Sequence, residues 1–147
     1  MAMEGETAAI DPARARPGGA VDSDRCLRQA PKCTVLVVDD DEDIRAAMAE
    51  VLEILGYSVA VASDGQEAFE LLEVGLDPNA IVLDMMMPRM DGWAFLSRIR
   101  TDPKFRDLPV VVASAVVAEC PPGADAWLQK PFDLVELDRE VARLCAN

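Results

Sequence analysis

Five short, β-branched apolar runs recur along the chain, and all but one of them are followed by a stretch with helical period. The runs are Thr34–Val38, Ser58–Ala62, Ala80–Leu83, Pro109–Ala113 and the shorter Ala126–Leu128. Continuous apolar runs of this length are expected of strands buried on both faces. After the first come Ile44, Met48, Val51, Leu52 and Leu55, spaced by three and four as on one face of a helix, and Gly56 ends that helix. Ala68, Leu71 and Leu72 mark a second helix, and Phe95, Leu96 and Ile99 a third. Leu134, Leu137, Val141 and Leu144 form the predicted inner face of a last one. Asp64 and Asp133 stand as N-caps, with Glu67 and Glu136 in capping-box register. Strand–helix alternation implies a parallel sheet covered on both faces, its crossovers right-handed. A doubly wound sheet binds ligands beyond the carboxyl ends of its strands. The residues to weigh are therefore Asp39 and Asp40, Asp84, Ser114 and Lys130.

The 147 residues suffice for one domain with a full core. Residues 1–32 carry Pro, Gly and balanced charge without apolar periodicity, and read as a disordered tail ahead of a domain at 33–147. The whole formal charge of −13 thus falls on that domain, which argues against nucleic acid or acidic lipid as a direct partner. There is no histidine, which removes a His-based catalytic base, a His metal site and a phosphohistidine role. Cys26, Cys33, Cys120 and Cys145 form no CxxC pair, so zinc is disfavoured, and they read as incidental thiols of a reducing cytosol. No apolar stretch has the length of a membrane span or a signal peptide. A cytoplasmic location follows by elimination.

Three carboxylates at neighbouring strand ends repel one another, and folding alone gives no reason to gather them. A hard cation such as magnesium takes oxygen ligands of this kind, with waters and phosphate oxygens completing the shell. Lys130 adds a positive point charge and Ser114 a hydroxyl, a set suited to phosphoryl transfer onto a carboxylate. Each residue also has a plainer reading. Asp39–Asp43 serve equally as a cap and an acidic first helical turn. Asp84 alone is as well explained by a turn, and Ser114 and Lys130 alone by the surface. Their joint placement after strands of one sheet favours the site.

The segments Val35-Leu-Val-Val-Asp-Asp-Asp41, Ile81-Val-Leu-Asp-Met-Met-Met-Pro-Arg-Met-Asp-Gly92, Val112-Ala-Ser-Ala115 and Gln129-Lys-Pro-Phe132 resemble, in order, the four signature segments of the response regulator receiver family. The resemblance covers residues 33–147. It implies a flavodoxin-like, five-stranded parallel sheet of order 2-1-3-4-5. It makes Asp84 the phosphoacceptor, and Asp39, Asp40, Asp84 and the backbone carbonyl of Met86 the holders of Mg2+, or of Mn2+ in its place. Ser114 and Lys130 would bind the phosphoryl oxygens, and the bond from Lys130 to Pro131 would be cis. Trp127 occupies the position of the family's switch aromatic; a half-buried core indole explains it equally well. One departure stands out. Where the family has a full helix between its fourth and fifth strands, this chain has Val116–Asp125, with Pro121, Pro122 and Gly123, and a helix of more than a turn is excluded there.

The expected function is that of a stand-alone receiver. It would take a phosphoryl group from a sensor histidine kinase or phosphotransfer protein, catalyse its own phosphorylation and dephosphorylation without turning over a separate substrate, and signal to an unknown protein target. The alternative is a pseudo-receiver, a phosphorylation-independent binding module, supported by the missing helix alone. An aspartate-nucleophile hydrolase is disfavoured, because Asp43 stands where such enzymes carry Thr and no cap domain is encoded.

Overall fold

The computed structural model describes residues 33–146. The expected tail at 1–32, and Cys26 within it, lie outside the described residues. The strands are β1 (Thr34–Val38), β2 (Ser58–Ala62), β3 (Ala80–Asp84), β4 (Val110–Ser114) and β5 (Ala126–Gln129). The helices are α1 (Glu42–Ile54), α2 (Gly65–Glu73), α3 (Gly92–Arg100) and α4 (Leu134–Cys145). All four strand pairings are parallel, in the order β2-β1-β3-β4-β5. The chain reverses direction across the sheet between β1 and β3, and the site lies at the carboxyl ends of those strands.

Successive side chains of a strand point to opposite faces, and the core divides accordingly. Leu36, Val38, Ile81, Leu83 and Val112 pack with Phe69 and Leu72 of α2 and with Phe95, Leu96 and Ile99 of α3. Val35, Val37, Val82 and Val111 pack on the other face with Met48 and Leu52 of α1 and with Leu137, Val141 and Leu144 of α4. Leu134 corrects the expected inner face of α4. It is 48% exposed, because the first turn of that helix overhangs the strand ends instead of the sheet.

Residues 115–125 cross from β4 to β5 without a helix, as Pro121, Pro122 and Gly123 require. The crossover still packs: Val117 is buried, and Ala124 lies against the same cluster as α3. One side chain ties the end of the crossover to the loop before β4. Arg100 donates from Nε to the carbonyl of Gly123 (2.7 Å), from one terminal nitrogen to the carbonyls of Arg106 (2.9 Å) and Leu108 (2.7 Å), and from the other to Asp125 (3.0 Å). Asp125 in turn accepts from the backbone N–H of Val110 at 2.9 Å, closing the start of β4.

The cysteines also require correction. Cys33, just before β1, and Cys145, in the last turn of α4, are joined by a disulfide with Cα atoms 6.4 Å apart. Spacing in sequence could not predict it, since the two are 112 residues apart and meet only because both pack at the edge of the same core layer. Cys120 is a free, exposed thiol.

Candidate functional site

The acidic run after β1 divides its labour. Asp41 is the N-cap of α1, accepting from the backbone N–H groups of Asp43 (3.0 Å) and Ile44 (3.1 Å). Glu42 and Asp43 fill the first turn, where the helix dipole favours acid. Asp39 and Asp40 are left for the site. Asp39 is buried; one carboxylate oxygen accepts from the backbone of Asp41 at 2.9 Å and the other from Lys130 Nζ at 3.1 Å. Its own carbonyl accepts from Arg45 at 2.8 Å, which ties the strand end to α1. Asp40 is exposed at the mouth.

Asp84 ends β3 and is only 8% exposed. Lys130 Nζ stands 3.7 Å from its carboxylate, and the backbone N–H of Met86 donates to it at a long 3.4 Å. Burial pushes its pKa up from 3.8 to about 6; Lys130 opposes that shift, and the charge of Asp39 adds to it. One oxygen each from Asp39, Asp40 and Asp84 lie within 4.8 Å of one another. A buried carboxylate held above its ordinary range, beside two more and a single lysine, suits a small hard cation whose ligands are oxygens.

The remaining expected residues are placed by the sheet. Asp84 is in register with Ala113 on β4, so Ser114 follows one residue beyond it, and Ser114 is in register with Gln129 on β5. Lys130 then leaves β5, its backbone N–H bonded to the carbonyl of Ser114 at 2.9 Å. Ser114 is fully buried, and its hydroxyl oxygen accepts from the backbone of Val116 at 3.1 Å. The Met86 side chain is exposed, as is Val116. The Lys130–Pro131 peptide bond is cis, as the resemblance implied. Trp127 is half-buried against the α2–α3 side of the core, with its indole N–H buried and unpartnered.

Two features escaped the sequence. A groove of about 480 Å3 runs beside the site, lined by Ile44, Met48 and Val51 of α1 and by Lys130, Phe132 and Leu134. The exposure of Ile44 and Leu134 at adjoining helix starts makes it, and exposure is not legible from spacing. The second is the bond between Arg89 and the buried Asp64. The Asp64-Gly65 pair after β2 signals a cap, but nothing in the sequence signals a partner 25 residues away.

Residues 35–142 match the family model described as the response regulator receiver domain. The chain belongs to that family. Among curated relatives, the response regulator MprA of Mycolicibacterium vanbaalenii is 43% identical over 109 residues, covering 70% of this chain and 46% of the relative. The receiver thus spans about half the length of the curated relatives it matches. The response regulator TrrA of Thermotoga maritima, solved in complex with Mg(2+)-BeF, is 30% identical with a TM-score of 0.68, covering 76% of this chain and 97% of its own. The receiver domain of a sensor histidine kinase from Pseudomonas aeruginosa, solved with magnesium in its active site cleft, is 26% identical with a TM-score of 0.72, covering 78% and 98%. The order 2-1-3-4-5 expected from the resemblance is the order found, with four helices among the described residues. Among the described residues, no helix is long and apolar enough to cross a membrane.

Proposed function

We propose that this receiver takes a phosphoryl group onto Asp84 from the phosphohistidine of a sensor kinase or phosphotransfer protein. The single observation that carries the reading is the convergence of Asp39, Asp40, Asp84 and Lys130. A carboxylate oxygen of Asp84 attacks phosphorus, the phosphorus–nitrogen bond of the donor breaks, and the donor imidazole leaves with the electron pair and takes up a proton. Asp39, Asp40, Asp84 and the carbonyl of Met86 would hold Mg2+, with Mn2+ as a substitute. Magnesium, when bound, supplies positive charge for the phosphoryl oxygens. Lys130 supplies a second positive charge, and Ser114 a hydroxyl donor. Burial keeps bulk water away from Asp84, so the charge of Lys130 acts at close quarters in a low dielectric. The magnesium carried by the Pseudomonas and Thermotoga structures supports the same assignment here.

The chain has no histidine, so a donor must seat its own imidazole over Asp84. The groove of Ile44, Phe132 and Leu134, which Lys130 also lines, suits an apolar face of that donor. Met86 and Val116 stand at the two positions that flank the approach of hydrolytic water in the receiver family; both are exposed and apolar here and cannot hold a water by hydrogen bonding, so the acyl phosphate should be long-lived. The receiver domain is assigned to residues 33–147, with residues 1–32 dispensable for phosphorylation. The absence of a helix between β4 and β5 favours one other reading, a binding module that works without phosphorylation. Intact mass after incubation with a small phosphodonor and magnesium separates the two. The proposal expects a gain of one phosphoryl group that Asp84→Asn abolishes; no gain in the native chain would leave the binding module.

A further inference from the structure

The loop between β3 and α3, residues 85–91, bears the Met86 carbonyl and is held from outside as well as within. Within, the N–H of Gly92 donates to the carbonyl of Met85 at 3.1 Å. From α2, the N–H of Gly65 donates to the carbonyl of Met90 at 3.0 Å. A Cβ at position 65 would sit 2.7 Å from that carbonyl oxygen, so the first turn of α2 and the loop are in direct backbone contact. The third tie is the ion pair of Arg89 with Asp64.

That pair is more than either residue needs locally. Asp64 caps α2 with one oxygen, which accepts from the N–H of Glu67 at 2.8 Å. Capping needs a single acceptor, and Ser serves as well. The second oxygen and a full charge at 1% exposure exceed that need, and Arg89 answers both. Arg89 itself is 68% exposed, and an arginine so placed gains little by itself from reaching inward. It is also the one non-glycine residue with positive φ among the described residues, at 60°. A residue with a side chain holds that conformation only where its surroundings over-determine it.

Building on the phosphoacceptor reading above, we infer that Asp64 and Arg89 are positioning residues for the cation site, a latch through which α2 holds the loop bearing the Met86 carbonyl beside Asp84. Groups that orient ligands from behind typically change metal affinity by about 10–100-fold when lost.

The test is a magnesium titration of the full chain followed by tryptophan fluorescence, with urea unfolding alongside. Asp64→Ser keeps the cap and removes the charge. Arg89→Gly removes the cation and relieves the positive φ. Each should bind magnesium about tenfold more weakly, and the double variant no more weakly than either, because one tie is lost in all three. Amide exchange in residues 85–91 should quicken in each, and Arg89→Lys should recover most of the affinity. Native-like affinity in both single variants, with Asp40→Ala abolishing binding, would overturn the latch and leave the phosphoacceptor reading standing. Losses that add in the double variant would overturn it too. A native chain that binds no magnesium would sink the cation site itself, and this inference with it.

Discussion

Asp84→Asn should make the magnesium-free protein more stable near neutral pH. Asp84 ionises at about 6 instead of 3.8, chiefly because it is buried. The gap corresponds to about 3 kcal/mol against the charged form, at roughly 1.36 kcal/mol per pH unit. The attraction of Lys130 is already inside that figure. Asparagine resembles the neutral acid in shape and keeps an acceptor for the Met86 N–H, but it buries an amide group that needs its own partners. Subtracting about 1 kcal/mol for that leaves a gain of about 2 kcal/mol. The sign follows from linkage. An acid whose folded pKa is raised binds its proton more tightly in the native state, so its protonated form stabilises the fold below the unfolded value, and that stability is lost as pH rises through the folded value. The cost is complete above about 6 and absent below about 3.8. Urea unfolding with a chelator present, at about pH 7.5 and about pH 5, should show the advantage of the variant falling from about 2 kcal/mol to about half a kcal/mol, because the cost of the native carboxylate roughly halves while that of the buried amide is unchanged. A variant no more stable than the native chain at the higher pH, or an advantage that ignores pH, would refute the reasoning.

Saturating magnesium should reverse that order. A cation at about a hundred times its dissociation constant adds about 2.7 kcal/mol to the state that binds it, and neither Asp84→Asn nor Asp40→Ala should share the gain in a thermal melt. Reducing the Cys33–Cys145 bond, or replacing Cys145 by Ser, should lower stability by about 2–5 kcal/mol, since the bond closes a very long loop; an unchanged urea midpoint under reductant would count against it. Ile44→Asp and Leu134→Asp should each cut the ratio of kinase-driven to small-donor-driven phosphorylation about tenfold, and an unchanged ratio would remove the groove from the docking surface.

Much of the fold was legible because its elements are locally consistent. The β-branched runs became the strands, and Asp64 and Asp133 cap their helices as read. The capping box at α2 differs in one detail: Glu67 reaches back to the N–H of Ser63 instead of Asp64. Pro121, Pro122 and Gly123 announced the absent helix, because proline lacks the N–H that an interior helical turn needs and glycine adds backbone entropy. The strand ends announced Asp39, Asp40 and Asp84, because parallel strands bring their carboxyl ends together whatever their order in the chain. What stayed hidden depends on contacts between elements. Leu134 has the period of a core residue and lies over a groove. The pairing of Cys33 with Cys145 depends on where two side chains meet, and neither their spacing nor an assumed compartment carries that information. Arg89 finds Asp64 only once its backbone has turned to positive φ, and arginine does not signal such a turn.

The crossover held by Arg100 ties the variability of one segment to a single distant position. A helix satisfies its own backbone, so its outward residues can drift and its length can change by a turn without consulting the rest of the chain. Residues 115–125 have no such autonomy. Gly123 and Asp125 must stay within reach of one guanidinium that also serves the carbonyls of Arg106 and Leu108. Insertions that lengthen the path between Pro122 and Asp125 break that reach, whereas insertions nearer Val116 leave it intact. Position 100 and the last three residues of the crossover should therefore change together or not at all, and a helix between β4 and β5 could form only in a lineage that first released Arg100 from this duty.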